Sequence, residues 1–261
     1  MRSLWTGSLS FGLVNIPIKL YSASEERALS FKLLAKDDLC PVSYQKVCRE
    51  DDKVIEQKDI VKGYEYEKEE FVVLTPDDFK RAKSAKSDLI DIVAFVDLEE
   101  IEAKYYEKPY YLEPSKKAGK AYVLLRDALQ KSGKVGIAKF AMRDRGHIAM
   151  VKPEGDALLL IQMRYADELR SPEDLYLPEK ATYTKKELDL ALSLIETLAE
   201  EKCALSDFKD EYTDELKEII EAKAKGQLKK IGTPESAPAP TPVADIMEML
   251  QKSLAESAHA S

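Results

Sequence analysis

Cysteine is scarce in this chain: Cys40, Cys48 and Cys203 are the three among 261 residues. That number is too small, and odd, for a disulfide framework, and it points to a reducing compartment. Histidine is scarcer, with only His147 and His259. Neither has a serine, cysteine or carboxylate companion at a recurring spacing, so no nucleophilic triad is legible. Cys40 and Cys48 have no second pair to complete the four ligands of a structural zinc, and no metal or cofactor is expected. The ten glycines form neither a phosphate-binding loop nor a G-x-G-x-x-G, and Gly7 to Gly12 fit neither pattern. No apolar run approaches the roughly 18 residues that span a bilayer, and Ala157 to Met163 is among the longest. No membrane partner is expected. The opening residues, Met1 to Ser8, lack the apolar core of a secretion signal, so a cytoplasmic home is expected.

What remains is an ordinary globular composition, 44% hydrophobic and 34% charged, with ample apolar content for a core. The net charge of −8 argues, taken alone, against nucleic acid as a partner. Charge is segregated, however. Residues 1–66 are neutral, 67–114 carry −6, 115–170 carry +6, 171–232 carry −5 and 233–261 carry −3. One basic stretch lies between acidic ones. From the counts alone, a collection of solvated faces is favoured over a binding surface.

To about residue 170 the pattern is mostly that of strands. Leu9, Phe11 and Leu13 are apolar on odd positions, and Ile16, Ile18 and Leu20 on even ones. This slip predicts a bulge or bend near Val14-Asn15, with Pro17 at an edge or bulge because it cannot donate to a ladder. Further strands are expected at Phe71–Leu74, 88–96, 104–112, 135–142, 147–151 and 157–164. A helix opens at Thr75-Pro76, and another runs from Ala118 to Lys131 and closes at Gly133. Many strands with two interspersed helices predict a mixed sheet or barrel. Residues 27–66 stand apart: about 40 residues without sustained period are long for a loop and need a job. As a two-stranded excursion, each arm reaches up to roughly 60 Å.

The rest is helical. Thr184 to Glu187 is a capping box ahead of an apolar stripe of Leu188, Ala191, Leu192, Ile195, Leu198 and Ala199. A second helix carries Tyr212, Leu216, Ile219, Ile220 and Lys223 and stops at Gly226. Four prolines among residues 233–242 form an exposed, semi-rigid linker. A short helix then opens at Thr241-Pro242, with Val243, Ile246, Met247, Leu250 and Leu254 on one face. The residues alone describe a binding protein by default, since no pair of the abundant acids is singled out for catalysis.

Several stretches, in order along the chain, closely resemble the bacterial Ku family. They are Trp5 to Ser22, Asp59 to Glu67, Pro109 to Pro114, Lys120 to Leu125, Asp167-Glu-Leu-Arg170, Asp210-Glu-Tyr212 and Ile220 to Lys223. The resemblance covers about 226 residues, with the last helix similar to the family's C-terminal tip. It implies an α+β fold: a β-barrel core over residues 1–175, with a long bridge at about 27–66 for dimerisation and DNA encirclement. A helical segment over 176–232, the linker at 233–242 and a short tail helix over 243–261 follow. It further implies a homodimeric ring around double-stranded DNA ends in non-homologous end joining, associated with the nucleoid. Recruitment of DNA ligase D, the polymerase-ligase of that pathway, follows from the segment after the core, and no catalysis of the chain's own. A metal-dependent nuclease and a purely structural adaptor are the alternatives.

A ring reads backbone rather than base edges, so its lumen calls for Lys and Arg. Bridge candidates are Lys32, Lys36, Lys46, Arg49, Lys53, Lys58 and Lys62; barrel candidates are Arg143 and Arg145, then Lys19 and Lys139. Tyr212, Leu216, Ile219 and Ile220, with Lys223 at the rim, are the candidate ligase face. Docking and packing on the chain's own core share that spacing. Two departures stand out. Where many family members have Cys-x-x-Cys-Gly, this chain has Cys48-Arg-Glu-Asp-Asp52, which argues against a metal or a tight turn there. The tail, residues 227–261, carries −1 rather than a lysine-rich excess, and little DNA affinity is expected of it.

Overall fold

The change of phase after Leu13 marks a hairpin rather than a bulge. Strand β1 (Trp5–Phe11) pairs antiparallel with β2 (Val14–Ser22), and Phe11 faces Val14, so Gly12 and Leu13 alone make the turn. Gly12 has φ +61°, the value a two-residue hairpin turn requires at its first position. The chain is seen here in a computed structural model that describes residues 1–25, 27–82, 88–142, 145–178, 183–200, 204–226 and 246–260. Arg143, Cys203, the proline-rich stretch and the Thr241-Pro242 helix start lie outside the described residues. Two units are distinguished, Met1–Pro172 and Glu173–Ser261.

The first unit contains β3 (Lys62–Glu67), β4 (Glu70–Leu74), helix α1 (Pro76–Ala82), β5 (Leu89–Asp97) and β6 (Tyr106–Pro114). Helix α2 (Gly119–Ser132), β7 (Lys134–Met142), β8 (Arg145–Glu154) and β9 (Ala157–Met163) complete it. Seven strands close into a barrel in the order β1-β2-β6-β9-β8-β7-β5, and β1 and β5 run parallel. Pro17 is not at an edge. It faces Ser8 on one side, and the β2–β6 ladder ends at Ile18 opposite Pro114, so its missing amide interrupts no rung. At Gly7 a Cβ would fall 2.4 Å from the Asp88 carbonyl and 2.3 Å from the Trp5 ring, so only glycine lets β1 approach there.

Alternate residues of each barrel strand point inward. Leu9, Ile18, Leu112, Phe140, Val151 and Leu160 are among the buried core residues. A second apolar layer covers the outer wall, where Val135, Met150 and Met163 pack with Ile101 and Tyr105 of the β5–β6 connection. Inside, α2 contributes Tyr122, Leu125 and Leu129, and its left-handed cap is Gly133 at φ +68°. The buried Tyr122 hydroxyl donates to the Leu112 carbonyl at 2.7 Å and accepts from the Leu158 amide at 2.6 Å. Leu112 and Leu158 are facing residues of β6 and β9, so the phenol is spliced into the last rung of that ladder.

Between β2 and β5 the chain leaves the barrel, over residues 23–88, a longer excursion than the unpatterned 27–66. It contains three successive reversals. The first joins Leu33 to Val42 and the second Lys46 to Ile55; β3 and β4 form the third, a separate two-stranded sheet. Each carries one non-glycine residue at positive φ: Leu39 at 57°, Asp52 at 54° and Glu69 at 66°. The tight turn at Cys48–Lys53 is therefore present, contrary to expectation. Asp52 holds the left-handed position, which aspartate tolerates better than most residues. Helix α1 ends the excursion, capped by reciprocal bonds between Thr75 and Asp78.

In the second unit, α3 (Lys185–Leu198) opens on the Thr184–Glu187 capping box, and α4 (Glu211–Ala224) on an Asp210 carboxylate that accepts from Thr213. Helix α5 (Ile246–Ala260) lies against α3. Among the described residues, none after Met163 is buried, and no helix is long and apolar enough to cross a membrane.

The spliced phenol makes a testable prediction. Burial holds Tyr122 above its ordinary value, while the Leu158 amide and Arg126 pull it the other way. The folded state thus keeps a proton that the unfolded state releases, and stability falls as pH climbs past about 10. Tyr122→Phe leaves a buried carbonyl and amide without their bridge, an expected loss of about 1–3 kcal/mol by urea denaturation. The same variant should lack this part of the alkaline decline.

Candidate nucleic-acid interface

Backbone geometry divides the candidate cations into three groups. Lys32, Lys36, Lys46, Arg49, Lys53, Lys58 and Lys62 all lie on the excursion, outside the barrel. Lys19 and Lys139 are exposed on the outer wall, but β2 and β7 are separated by β1 and β5, so the two do not form one patch. Lys19 stands across from Thr6 and Glu113, and Lys139 across from Asp91 and Ile148. Arg145 begins β8 at one mouth of the barrel.

Local chemistry then separates them by availability. Lys53 pairs with Asp51 at 2.6 Å and Lys58 with Glu56 at 2.7 Å. Lys46 donates to the Gln57 side chain at 2.6 Å, and Lys62 sits over the Phe79 ring at 4.7 Å. Lys32, Lys36 and Arg49 make no ion pair among the described residues. The Asp51 carboxyl is held below the usual carboxylate range, first by Lys53 and then by Cys48. The residue standing in place of the family's second cysteine thus binds both the remaining cysteine and a cation. Among the described residues, no group of three His, Cys, Asp or Glu side chains is placed to hold a metal ion.

The barrel mouth brings together residues that the sequence does not. On β8, Arg145 and His147 continue the inward register of Ala149 and Val151, and on β9 Gln162 continues that of Leu158 and Leu160. They line a polar hollow of about 140 Å³ with Glu107, Arg164, Tyr165 and Glu168. A second hollow of about 250 Å³ shares His147 and Tyr165 and reaches Lys139 and Asp91. Gln162 donates to Glu107 at 3.0 Å, and Arg145 pairs with Glu168 at 2.8 Å. Glu168 also accepts the Tyr165 amide at 2.9 Å. That amide first, and Arg145 and Arg164 after it, hold the Glu168 carboxyl below its usual range. Burial first, then the Arg145 charge, hold His147 below its ordinary value, so its ring is neutral at pH 7 and stacks near Phe140 at 5.3 Å. The mouth can offer guanidinium donors to an anion, with acids close by. Sequence reading missed Arg164, His147 and Glu168 here; the alternation that makes β8 and β9 legible, extended by one pair, was the available signal.

The face on α4 is exposed. Tyr212 and Ile220 are open to solvent, Leu216 and Ile219 half-buried, and Lys223 exposed, and the helix buries no residue.

Comparison with known proteins follows the same lines. Residues 10–190 match the family model described as Ku70/Ku80 beta-barrel domain. A protein of Opitutus terrae, named non-homologous end joining protein Ku, is 44% identical over 97% of this chain and 91% of its own. Proteins of the same name from Pseudomonas aeruginosa and Bacillus subtilis are each 37% identical over 97% of this chain, and over 88% and 82% of theirs.

Proposed function

The chain belongs to the Ku family of non-homologous end joining proteins, and on that premise we propose that it is a sequence-independent clamp for double-stranded DNA ends. It acts as a homodimeric ring in the cytoplasm, at the nucleoid, and recruits DNA ligase D without catalysis of its own. The observation that carries this reading is the excursion over residues 23–88. It holds large apolar side chains that its own chain leaves open, among them Phe31, Tyr44, Val61, Tyr64 and Phe71. Apolar surface so extended marks an interface rather than a solvated loop. A second copy is the fitting cover, because the same surface then serves both partners about a two-fold axis. Two excursions joined in this way, each rooted at its barrel, close a hoop.

The cations support the same reading. The excursion carries Lys32, Lys36 and Arg49 without ion-pair partners among the described residues, and Lys53 and Lys58 in exposed pairs. Exposed pairs are weak and give way to a dense row of phosphates. The net charge of −8 is compatible with a ring, since outward acids repel stray nucleic acid while inward cations focus the field. For the ligase, α4 presents Tyr212, Leu216, Ile219 and Ile220 with Lys223 at the rim. The exposure of Tyr212 and Ile220 favours docking over packing on the chain's own core.

Three outcomes are expected. In gel shifts, linear duplex is retained and covalently closed circular duplex of the same sequence is not, with affinity falling steeply as salt rises. Equal capture of both topologies would end the clamp reading. Tyr64→Asp with Phe71→Asp shifts sedimentation from dimer to monomer and removes linear-duplex binding, while the barrel keeps its circular dichroism. Leu216→Asp with Ile220→Asp leaves a folded, DNA-binding dimer that no longer pulls down ligase D; loss of folding instead would assign the stripe to the chain's own core.

A further inference from the structure

The Asp167-Glu-Leu-Arg170 stretch places a carboxylate at the barrel mouth, beside Arg145. Glu168 closes a short turn that begins at Tyr165, and its two oxygens are divided between partners. One accepts the Tyr165 amide at 2.9 Å and the other meets the Arg145 guanidinium at 2.8 Å. The first bond tethers the carboxylate to backbone and restrains it more than an ordinary exposed side chain. Its charge persists at neutral pH, because amide and cations together stabilise the ionised form. Lys58 differs here: its partner Glu56 lies two residues away and both side chains are exposed, whereas the Asp51 carboxylate beside Lys53 also accepts the Lys53 amide at 3.3 Å. Arg145 is a cation with a backbone-tethered counter-ion, and a single contact leaves its other N–H donors pointing elsewhere.

We propose that Glu168 is a positioning residue that aims Arg145 and offsets its charge, so that the barrel mouth grips a DNA phosphate weakly. This rests on the reading of the chain as a DNA-end clamp. Only a phosphate that Arg145 draws in comes within range of this tethered carboxylate, and like charges at such separations repel appreciably even in water. A ring loaded from an end has to move along the duplex, and a weak grip at the barrel is compatible with that movement. The counter-ion thereby tunes the hold without touching the DNA.

The test uses the full chain with a linear, blunt duplex, titrated across a series of salt concentrations. Glu168→Gln keeps an oxygen for the Tyr165 amide and removes the charge. It should bind about 5-fold more tightly at low salt, with a salt slope steeper by about 0.9. In an Arg145→Ala background the same change should gain nothing. Asp167→Asn, which removes a neighbouring charge not paired with Arg145, should leave the slope as it was. Unchanged or weaker binding by Glu168→Gln, with an unaltered melting temperature, overturns the proposal, as does a gain that survives Arg145→Ala. A 5′-phosphorylated and a 5′-hydroxyl duplex should respond alike if the phosphate belongs to the backbone; a gain confined to the phosphorylated end would place a terminal phosphate at Arg145 instead. Failure of the unsubstituted chain to bind linear duplex would overturn the clamp reading and this inference with it, before any variant is compared.

Discussion

Closure of the barrel is the constraint on which the rest depends. Seven is an odd number, so strands that alternate in direction cannot close without one parallel pair, and here that pair is β1 and β5. The parallel seam demands a connection that hops across β1, and this is the point at which the chain departs for 66 residues. The seam also needs close approach, which Gly7 permits at the Asp88 carbonyl. On the far side of the barrel, α2 enters the lumen and Tyr122 joins β6 to β9 through its hydroxyl. One end is thus filled by apolar and phenolic groups from a helix. At the β8–β9 mouth polar residues take the inward positions.

Features written in short range were legible in the sequence. The Thr184 capping box, the Gly133 cap and the alternation in β7, β8 and β9 each depend on residues within a turn or a strand. The β1–β2 hairpin shows the limit of that method. A bulge and a two-residue turn both invert the apolar phase, so periodicity cannot separate them; only Gly12 beside Leu13 could have done so. The Cys48–Lys53 turn failed in another way. Loss of the family's glycine was read as loss of the turn, yet Asp52 adopts the same backbone region, and Asp51 takes the cysteine's place beside Cys48. A turn forms here without the glycine.

The cationic candidates divide along the same line. Pairs such as Asp51 with Lys53 and Glu56 with Lys58 are two residues apart and are legible in the sequence. Arg145 and Glu168 are 23 residues apart and meet only because β8 and β9 are neighbours in the barrel. A count of lysines and arginines therefore overstates a surface, and the correction is of two kinds. Near-neighbour pairs cost little to break and leave the cation usable. The Glu168 carboxylate is held in addition by the Tyr165 amide, so the fold, not adjacency in sequence, sets that pair.

The helical unit obeys a different balance. Helices α3, α4 and α5 have 14, 14 and 15 residues, lengths at which isolated helices are marginal in water. Thr184 and Asp210 supply caps, and α5 lies against α3, but no described residue of the unit is buried. Caps and amphipathic stripes without burial specify where helices begin and end, not a core that holds them. Such a segment gains most of its packing when another surface covers its stripes, and the ordering it still has to undergo is charged against that binding. The barrel and the helices therefore differ in burial: a closed, buried scaffold roots the excursion, and the helical unit presents faces with no buried residue among those described.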